Sequence, residues 1–459
     1  MENIILQLTK KFFTFSENMN FNDIIAMTSQ NAPKFATNLI AQVFQYLDNE
    51  IMKSDKRKKN WKVIKINDRT ISTVLGKITF SRRYYQNKHT GKYAYLLDEA
   101  IGIIPRQRLD VSLEAKITEF ANVLSFEKAG EMVSDEITVS KQTVKKIVSK
   151  FAQKHEEKYE DVDDKKEVKV LFIEADEDHV SLQKEDKNNV INKLIYVHEG
   201  KIQESKSRKY LHCKHVFASN LKSPEDMWTN VYDYIYSKYD VTKLEKIFIL
   251  GDGANWIKTG LEWIEGSEFV LDSFHLNKSI LIISGGNTRE INKERYNKLQ
   301  KLVYSKQREE FNKYAKELIE EEKGKSAKDR KDQQRRYILN QWTWIVSNLD
   351  NKEKYQLGCS AEGHVSHVLA SRMSSRPLSW SKDGLEAITK LRIAIENGMT
   401  RTKICETLIK ANKEIAQEKY KPVKHLKRIK RHTMEALGNI PVLSIGKING
   451  LQTMMSELR

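Results

Sequence analysis

Apolar and polar residues follow a helical period at the start of the chain and an alternating one directly after it. Residues 1 to about 52 carry apolar side chains four positions apart, which predicts helices with one face in a core. The positions of this stripe are Phe35, Leu39, Val43 and Leu47. From Trp61 to about residue 97 apolar and polar residues alternate around an Asn-Asp turn and a Leu-Gly corner, which predicts a small antiparallel β unit.

A helical pattern returns over residues 110–154 and contains a helix–turn–helix candidate. Residues 125–136 would form its first helix, 137–139 the turn, and 140–153 a second helix capped by Ser140. The second helix carries, near its start, side chains of the kinds that contact base edges and phosphates: Lys141, Gln142, Thr143, Lys145 and Lys146. We predict DNA contact here, although two helices joined by a short turn also occur without DNA.

The middle of the chain predicts an α/β unit. Residues 167–176 form a nearly continuous apolar run that ends in acids, as expected for a strand buried on both faces. Further strands are predicted over 192–200, 208–219, 246–253 and 267–275, with a helix over 224–238. The order is three strands, a helix, a strand, a helix and a strand.

The rest of the chain predicts helices. Residues 285–349 are helical and rich in charge, and within them 325–336 is an exposed helix or a solvated loop. The basic stretch 421–432 suits a helix lying on DNA or an ordinary surface helix.

The length of 459 residues predicts several domains. The regions that we predict are an N-terminal helical region (1–60), a small β-rich unit (61–105), the helix–turn–helix region (106–160), the first part of an α/β core (165–282), a helical insertion (283–355), the second part of the core (356–400) and a basic C-terminal helical segment (401–459).

Composition narrows the classes of function. A net charge of +17 favours a polyanionic partner, of which DNA and RNA are the commonest, although Lys-rich proteomes also give basic proteins without that role. Three scattered cysteines exclude a disulfide framework and fit a reducing cytosol. We expect neither a signal peptide nor a membrane span, and the absence of a GxxxxGK[ST] motif gives no reason to expect a nucleotide cofactor.

Two acids stand at the ends of the two most apolar predicted strands. Asp176 closes the first and Asp252 follows the fourth, so both lie at the edge of a sheet where ligands gather in α/β proteins. Gly251 and Gly253 flank Asp252 and allow a substrate or a hydrated metal to approach closely. Converging carboxylates with a third acid would hold Mg²⁺, for which Mn²⁺ substitutes, as phosphodiester chemistry requires.

The identity of two of the acids stays open at this point. Asp178 lies on the same strand face as Asp176 and is its alternative. Glu362, in the first turn of a predicted helix, is the candidate third acid, and Glu386 and Glu265 are its rivals.

Four motifs together resemble a known family: IEADEDHV (173–180), LGDGANWI (250–257), DSFH (272–275) and SAEGHVSHVLASRMSSRPLSWS (360–381). They look like bacterial insertion-sequence transposases of the ISLre-two type, relatives of the Mutator-like superfamily of DDE transposases. The resemblance implies an α/β, ribonuclease-H-like catalytic core that is split by an all-helical insertion. It also implies a catalytic, metal-binding triad of Asp176, Asp252 and Glu362, supported by Asp272 and His275.

The resemblance also implies partners and a location. Such enzymes bind the terminal inverted repeats of their element and join it to target DNA, acting as a dimer or higher homo-oligomer in the bacterial cytoplasm at the nucleoid. Further predicted DNA contacts are Arg372, Arg376 and Trp380, although core packing is the more frequent fate of a lone tryptophan. The alternatives are a DNA-binding protein without catalysis and a ribonuclease-H-like nuclease.

Overall fold

The computed structural model describes most of the chain up to residue 419. The described residues are 2–13, 19–134, 136–159, 161–183, 189–206, 209–286, 289–349, 351–355, 357–375 and 379–419. The basic stretch 421–432 therefore lies outside the described residues. No helix within these ranges is long and apolar enough to cross a membrane.

Three helices open the chain: α1 (Glu2–Phe12), α2 (Phe21–Lys53) and α3 (Asp55–Asn60). The start of α2 is fixed by a capping box, in which Asn20 and Asp23 satisfy each other's backbone N–H groups. Of the predicted stripe on α2, Phe35, Leu39 and Val43 are half-buried, whereas Leu47 is exposed and its prediction is wrong. The side chains of α2 that pack into the local core are Ile40, Ala41, Phe44 and Ile51.

The predicted β unit is an antiparallel sheet of β1 (Trp61–Thr73), β2 (Gly76–Asn87) and β3 (Tyr93–Ala94). The chain turns after Thr73, where Gly76 takes a φ of 121° that favours glycine. The predicted Asn-Asp turn is wrong, because Asn67 and Asp68 pair with β2 inside β1.

Four helices follow: α4 (Leu96–Ile101), α5 (Val111–Val123), α6 (Phe126–Glu131) and α7 (Lys141–Lys154). Ser140 caps α7, where its side chain accepts a hydrogen bond from the backbone N–H of Thr143. α7 buries one apolar face and leaves Lys141, Gln142, Lys145 and Lys146 exposed.

A five-stranded sheet forms the centre of the molecule. Its strands are β4 (Val170–Val180), β5 (Val190–His198), β8 (His215–Ser219), β9 (Lys246–Gly251) and β10 (Ser267–Leu271), in the order β10-β9-β4-β5-β8. β5 runs antiparallel to β4 and β8, whereas β4, β9 and β10 are parallel. The predicted strand over 208–219 is wrong, because a turn with Cys213 at a φ of 50° separates β8 from the hairpin of β6 (Lys201–Gln203) and β7 (Lys209–Leu211).

Helices cover both faces of this sheet. They continue as α8 (Pro224–Lys238), α9 (Asn255–Lys258), α10 (Gly260–Trp263), α11 (Ser273–Ser284), α12 (Glu290–Tyr304), α13 (Arg308–Glu320), α14 (Lys325–Asn340), α15 (Trp342–Leu349) and α16 (Lys352–Tyr355). The last helices are α17 (Ala361–His364), a π-helical turn (Val365–Ala370), α18 (Ser371–Met373), α19 (Lys382–Glu396) and α20 (Arg401–Lys419).

Alternate side chains of the sheet enter two different cores. Leu194, Tyr196 and Val216 pack with α5, α7, α19 and α20, so the helix–turn–helix candidate shares one apolar cluster with the chain after Glu362. Ile195, Val197 and Phe217 pack on the opposite face with α8, α11 and the helices of the insertion. Both faces are covered, which explains why the sequence of these strands is almost continuously apolar.

Candidate active site at the carboxyl ends of three parallel strands

The register between β4 and β9 brings two acids level with each other. The parallel pairing ends at Glu174 opposite Leu250. Asp176 and Asp252 each stand two residues beyond this last pair. The two carboxylates therefore lie level with each other where the pairing of β4 with β9 ends, while β4 itself continues along β5 to Val180.

The loop that carries Asp252 depends on the glycines on both sides of it. A Cβ on Gly251 would lie 2.9 Å from the backbone oxygen of Ala175, so glycine allows β9 to end close against β4. Gly253 has a φ of 89°, and a Cβ there would lie 2.6 Å from Nε2 of Gln341. In this turn Oδ1 of Asp252 accepts a hydrogen bond of 2.8 Å from the backbone N–H of Ala254.

A third strand end adds Asp272 and His275. The backbone N–H of Asp272 donates to the oxygen of Gly251 over 2.8 Å, which joins the end of β10 to that of β9. Asp272 caps α11, and its Oδ2 lies 2.9 Å from Nδ1 of His275. This hydrogen bond raises the pKa of His275, and the charges of Asp252 and Asp176 raise it further. The imidazole is therefore a cation beside the two acids over a wider pH range.

The environment of Asp176 disfavours its charged form, although the charge of His275 partly offsets this effect. Burial raises its pKa to about 6, and the nearby charge of Asp252 acts in the same direction. One oxygen, Oδ1, accepts a hydrogen bond of 2.8 Å from the backbone N–H of Glu177. A divalent ion near both carboxylates would relieve their repulsion.

The alternative first acid, Asp178, has a different environment. It is buried, and its Oδ1 accepts a hydrogen bond of 2.8 Å from the hydroxyl of Ser374. Burial raises its pKa, and the charges that act on it come from His179 rather than from Asp252 or His275. The geometry therefore favours Asp176 as the partner of Asp252.

The helix of Glu362 is connected to β4 through Ser360, the residue that precedes it. Glu362 is exposed in the first turn of α17, which begins directly after Ser360. The backbone N–H and the hydroxyl of Ser360 both donate to Oε2 of Glu174, the hydroxyl over 3.0 Å. Glu174 lies two residues before Asp176 on the same face of β4, so this contact brings the helix of Glu362 to the strand of Asp176.

The rival third acids are engaged elsewhere or distant in the fold. Both oxygens of Glu386 accept hydrogen bonds from the hydroxyl of Ser219, and Oε2 also accepts from the backbone N–H of Asn220. Glu265 is exposed after α10, on the connection that leads into β10.

The helical insertion contributes side chains that the sequence pattern did not point to. Tyr337 donates its hydroxyl to the backbone oxygen of Asp252, and burial with the charge of Asp252 raises the pKa of this tyrosine. Gln341 lies 3.4 Å from the backbone oxygen of Gly253. Lys258 also lies within the electrostatic reach of Asp252, although burial lowers its pKa.

The donor set at this edge fits a hard divalent cation. Carboxylates from separate segments are the ligands that Mg²⁺ and Mn²⁺ prefer. Within the segments that the structure describes, no protein group donates to the second oxygen of Asp176 or of Asp252. These oxygens remain available for an ion that Asp176, Asp252 and Glu362 would hold.

Two of the predicted DNA contacts are wrong for this conformation, because the side chains lie in the core. Arg372 is 6% exposed, donates to the backbone oxygen of Ala121, and stacks on the rings of Phe126 and Trp380. Trp380 is 8% exposed, and its indole N–H donates to the oxygen of Met373. Both side chains hold the helix–turn–helix candidate against the chain after Glu362. Arg376 lies outside the described residues.

The predicted DNA-contact residues of α7 are accessible. Lys141, Gln142, Lys145 and Lys146 are exposed and Thr143 is half-buried. Nζ of Lys145 lies 3.3 Å from the hydroxyl of Ser381, the cap of α19. The exposed face of α7 is therefore continuous with the start of α19.

A second cluster of polar side chains lies at the opposite edge of the sheet. The turn at Cys213 brings its thiol and the ring of His212 close to Glu199. Lys166 already fills the centre of this group, where its ammonium lies 2.6 Å from the carboxylate of Glu199 and 3.3 Å from the sulfur of Cys213. The ammonium of Lys166 therefore already neutralises the negative charge of Glu199 that would attract a metal ion to this cluster.

These features define a mixed α/β protein with an acid-lined sheet edge. The chain belongs to a family described as the uncharacterised protein family UPF0236, whose model matches residues 14–407. A UPF0236 protein of Caldanaerobacter subterraneus subsp. tengcongensis is 36% identical over 470 residues, covering 100% of this chain and 98% of the relative, and its name combines eleven gene designations. A second from the same strain is 35% identical over 97% of this chain and 93% of its own, with four designations. A UPF0236 protein in the vanSb 3′ region of Streptococcus gallolyticus is 24% identical over 79% of this chain and 80% of its own.

Proposed function

We propose that this chain is a DDE transposase with a ribonuclease-H-like core, which binds the inverted repeats of an insertion sequence, cleaves its ends and joins them to target DNA. The observation that carries the proposal is the register that places Asp176 level with Asp252, with Glu362 tied to the same strand through Ser360 and Glu174. Separate carboxylates at one sheet edge suit metal-dependent phosphodiester chemistry.

The sheet supports the same proposal. In chain order, β4, β5 and β8 form three antiparallel strands, and β9 and β10 then follow parallel to β4. This is the arrangement expected of a ribonuclease-H-like core. The helical insertion enters between Asp252 and Glu362, as in the transposases that the sequence resembles.

The relatives add an argument from copy number. One relative's name combines eleven gene designations of a single strain, and another combines four. Many copies of a gene in one genome are what an element leaves when it multiplies by transposition.

The residues of the site would divide the work as follows. Asp176, Asp252 and Glu362 would hold Mg²⁺, for which Mn²⁺ substitutes, and the ion would stabilise charge on the oxygens of the phosphodiester. His275, held by Asp272, would place a positive charge beside the phosphate and offset the repulsion between the acids. The exposed face of α7 would bind the backbone and base edges of the inverted repeat. Both DNA ends must be held together, so the active form is a dimer or a higher oligomer.

A strand-transfer assay tests the proposal. The full chain is incubated with Mg²⁺ or Mn²⁺, a plasmid target and labelled duplexes that end in the inverted repeats flanking its gene. We expect the wild type to join the duplexes to the plasmid, and Asp252→Asn to bind them without joining. Cleavage without joining would favour a nuclease of the same fold. Binding without cleavage by both proteins would favour a non-catalytic DNA-binding protein.

A further inference from the structure

Glu174 is a buried acid for which the proposed reaction has no direct use. It is 0% exposed, on the face of β4 that also carries Asp176 and Asp178. A buried carboxylate adds little to stability even when it is paired, since its desolvation offsets the gain from its partners. An apolar side chain would avoid this cost, so a purely structural role gives little reason for an acid at position 174.

The partners of Glu174 occupy both of its oxygens. Oε1 lies 3.1 Å from Nε2 of His198 and 3.8 Å from Nζ of Lys201. Oε2 accepts from the hydroxyl of Tyr196 and from the N–H and hydroxyl of Ser360. Because it is fully buried and both oxygens are engaged, Glu174 is not itself a further metal ligand.

These contacts converge on the segment that leads into the helix of Glu362. Lys201 donates to the backbone oxygen of Gly358, and the hydroxyl of Tyr196 lies 3.2 Å from that of Ser360. The ring of Tyr196 also packs on that of His364, with 4.5 Å between ring centroids. The segment is thus held both before and after Glu362.

We propose that Glu174 is a positioning residue, which fixes the start of α17 so that Glu362 completes the metal site with Asp176 and Asp252. This inference rests on the proposed function. A residue that orients a metal ligand is commonly needed for metal affinity, although it does not touch the ion itself.

The test compares Glu174→Gln with the matched variant Glu199→Gln. Glu199 is also bonded to a tyrosine, a histidine and a lysine, namely Tyr239, His212 and Lys166, but it lies at the opposite edge of the sheet. Glutamine keeps the size of the side chain and removes its charge. Hydrogen exchange of residues 360–364 and Mn²⁺ binding followed by electron paramagnetic resonance are measured on the full chain.

We expect Glu174→Gln to speed exchange at residues 360–364 and to weaken Mn²⁺ binding about tenfold, while Glu199→Gln changes neither. Binding of the inverted-repeat duplex should not change, so the loss of strand transfer would lie in kcat rather than KM. If Glu174→Gln does not fold, Tyr196→Phe removes one donor and should shift both measurements in the same direction by less. Unchanged exchange and unchanged Mn²⁺ binding in a folded variant would overturn the inference. A wild type without DNA cleavage would defeat the proposed function, and the exchange measurement would still report on the contact itself.

Discussion

Tyr337, on helix α14 of the insertion, donates its hydroxyl to the backbone oxygen of Asp252. The two residues are 85 positions apart, and Gln341 contacts the next backbone oxygen of the same loop. A helix that begins outside the sheet thus supports the loop of a proposed catalytic acid. The helical insertion therefore contributes to the shape of the candidate active site.

We expect Tyr337→Phe to lower kcat for strand transfer about tenfold, because an unpaired buried carbonyl costs about 1–2 kcal/mol and frees the loop. The KM for the inverted-repeat duplex should not change, since Tyr337 and α7 pack against the cores on opposite faces of the sheet. Tyr296→Phe, on helix α12 of the same insertion, is the control and should retain full activity. Equal rates for the two variants would show that the hydroxyl of Tyr337 is not needed.

A substitution at Gly253 would test the same loop by changing its backbone conformation. Alanine there must adopt a φ of 89°, and its Cβ would lie 2.6 Å from the buried Gln341. We expect Gly253→Ala to lower the free energy of unfolding by about 2–4 kcal/mol and to abolish strand transfer. Gly266→Ala is matched in conformation, with a φ of 73° but open space around its Cβ, and should cost only about 1 kcal/mol. Urea denaturation measures both, and equal decreases in stability would show that packing against Gln341 is unimportant.

Asp176 should lower stability at neutral pH. Its pKa is raised in the folded chain to about 6 from 3.8, so the unfolded chain loses its proton first as the pH rises. The resulting penalty is absent below pH 3.8, grows between the two values and is complete above pH 6. Allowing for solvent screening, we expect Asp176→Asn to raise the free energy of unfolding by about 1–2 kcal/mol at about pH 7.5 without Mg²⁺. The gain should shrink steadily when urea denaturation is repeated towards about pH 4, and a gain that is constant with pH would contradict the assigned shift.

Local sequence predicted the parts of the fold that local chemistry determines. The apolar runs before Asp176 and Asp252 predicted buried strands, which the structure has as β4 and β9. Strand positions also limited the first acid to Asp176 or Asp178, but the choice between them depends on the register with β9 and on the hydroxyl of Ser374. Neither is visible in a single segment, because register is set by the partner strand.

Long-range contacts account for what the sequence did not predict. Arg372 resembles a phosphate ligand in sequence, yet its guanidinium is buried against the rings of Phe126 and Trp380. A charged side chain has the same appearance in a sequence whether it is solvated or stacked in a core. Glu174 and Tyr337 were not predicted for the same reason, since their roles depend on Ser360 and Asp252 far along the chain.

The exposed lysines of α7 make the DNA-binding part of the proposal testable by its salt dependence. Lys141, Lys145 and Lys146 lie on one accessible surface, so several can reach phosphates together. Removing one phosphate contact should reduce the slope of log K against log salt by about 0.9, so the triple alanine variant should reduce that slope by about 2–3. A control that removes the same charge from the insertion, with alanine at Lys301, Lys313 and Lys316, should keep the slope. Fluorescence anisotropy of a labelled inverted-repeat duplex between about 50 and 200 mM salt measures both, a range of about fourfold that resolves such slopes. If both variants change the slope equally, binding follows the overall charge of +17 and α7 is not a specific contact.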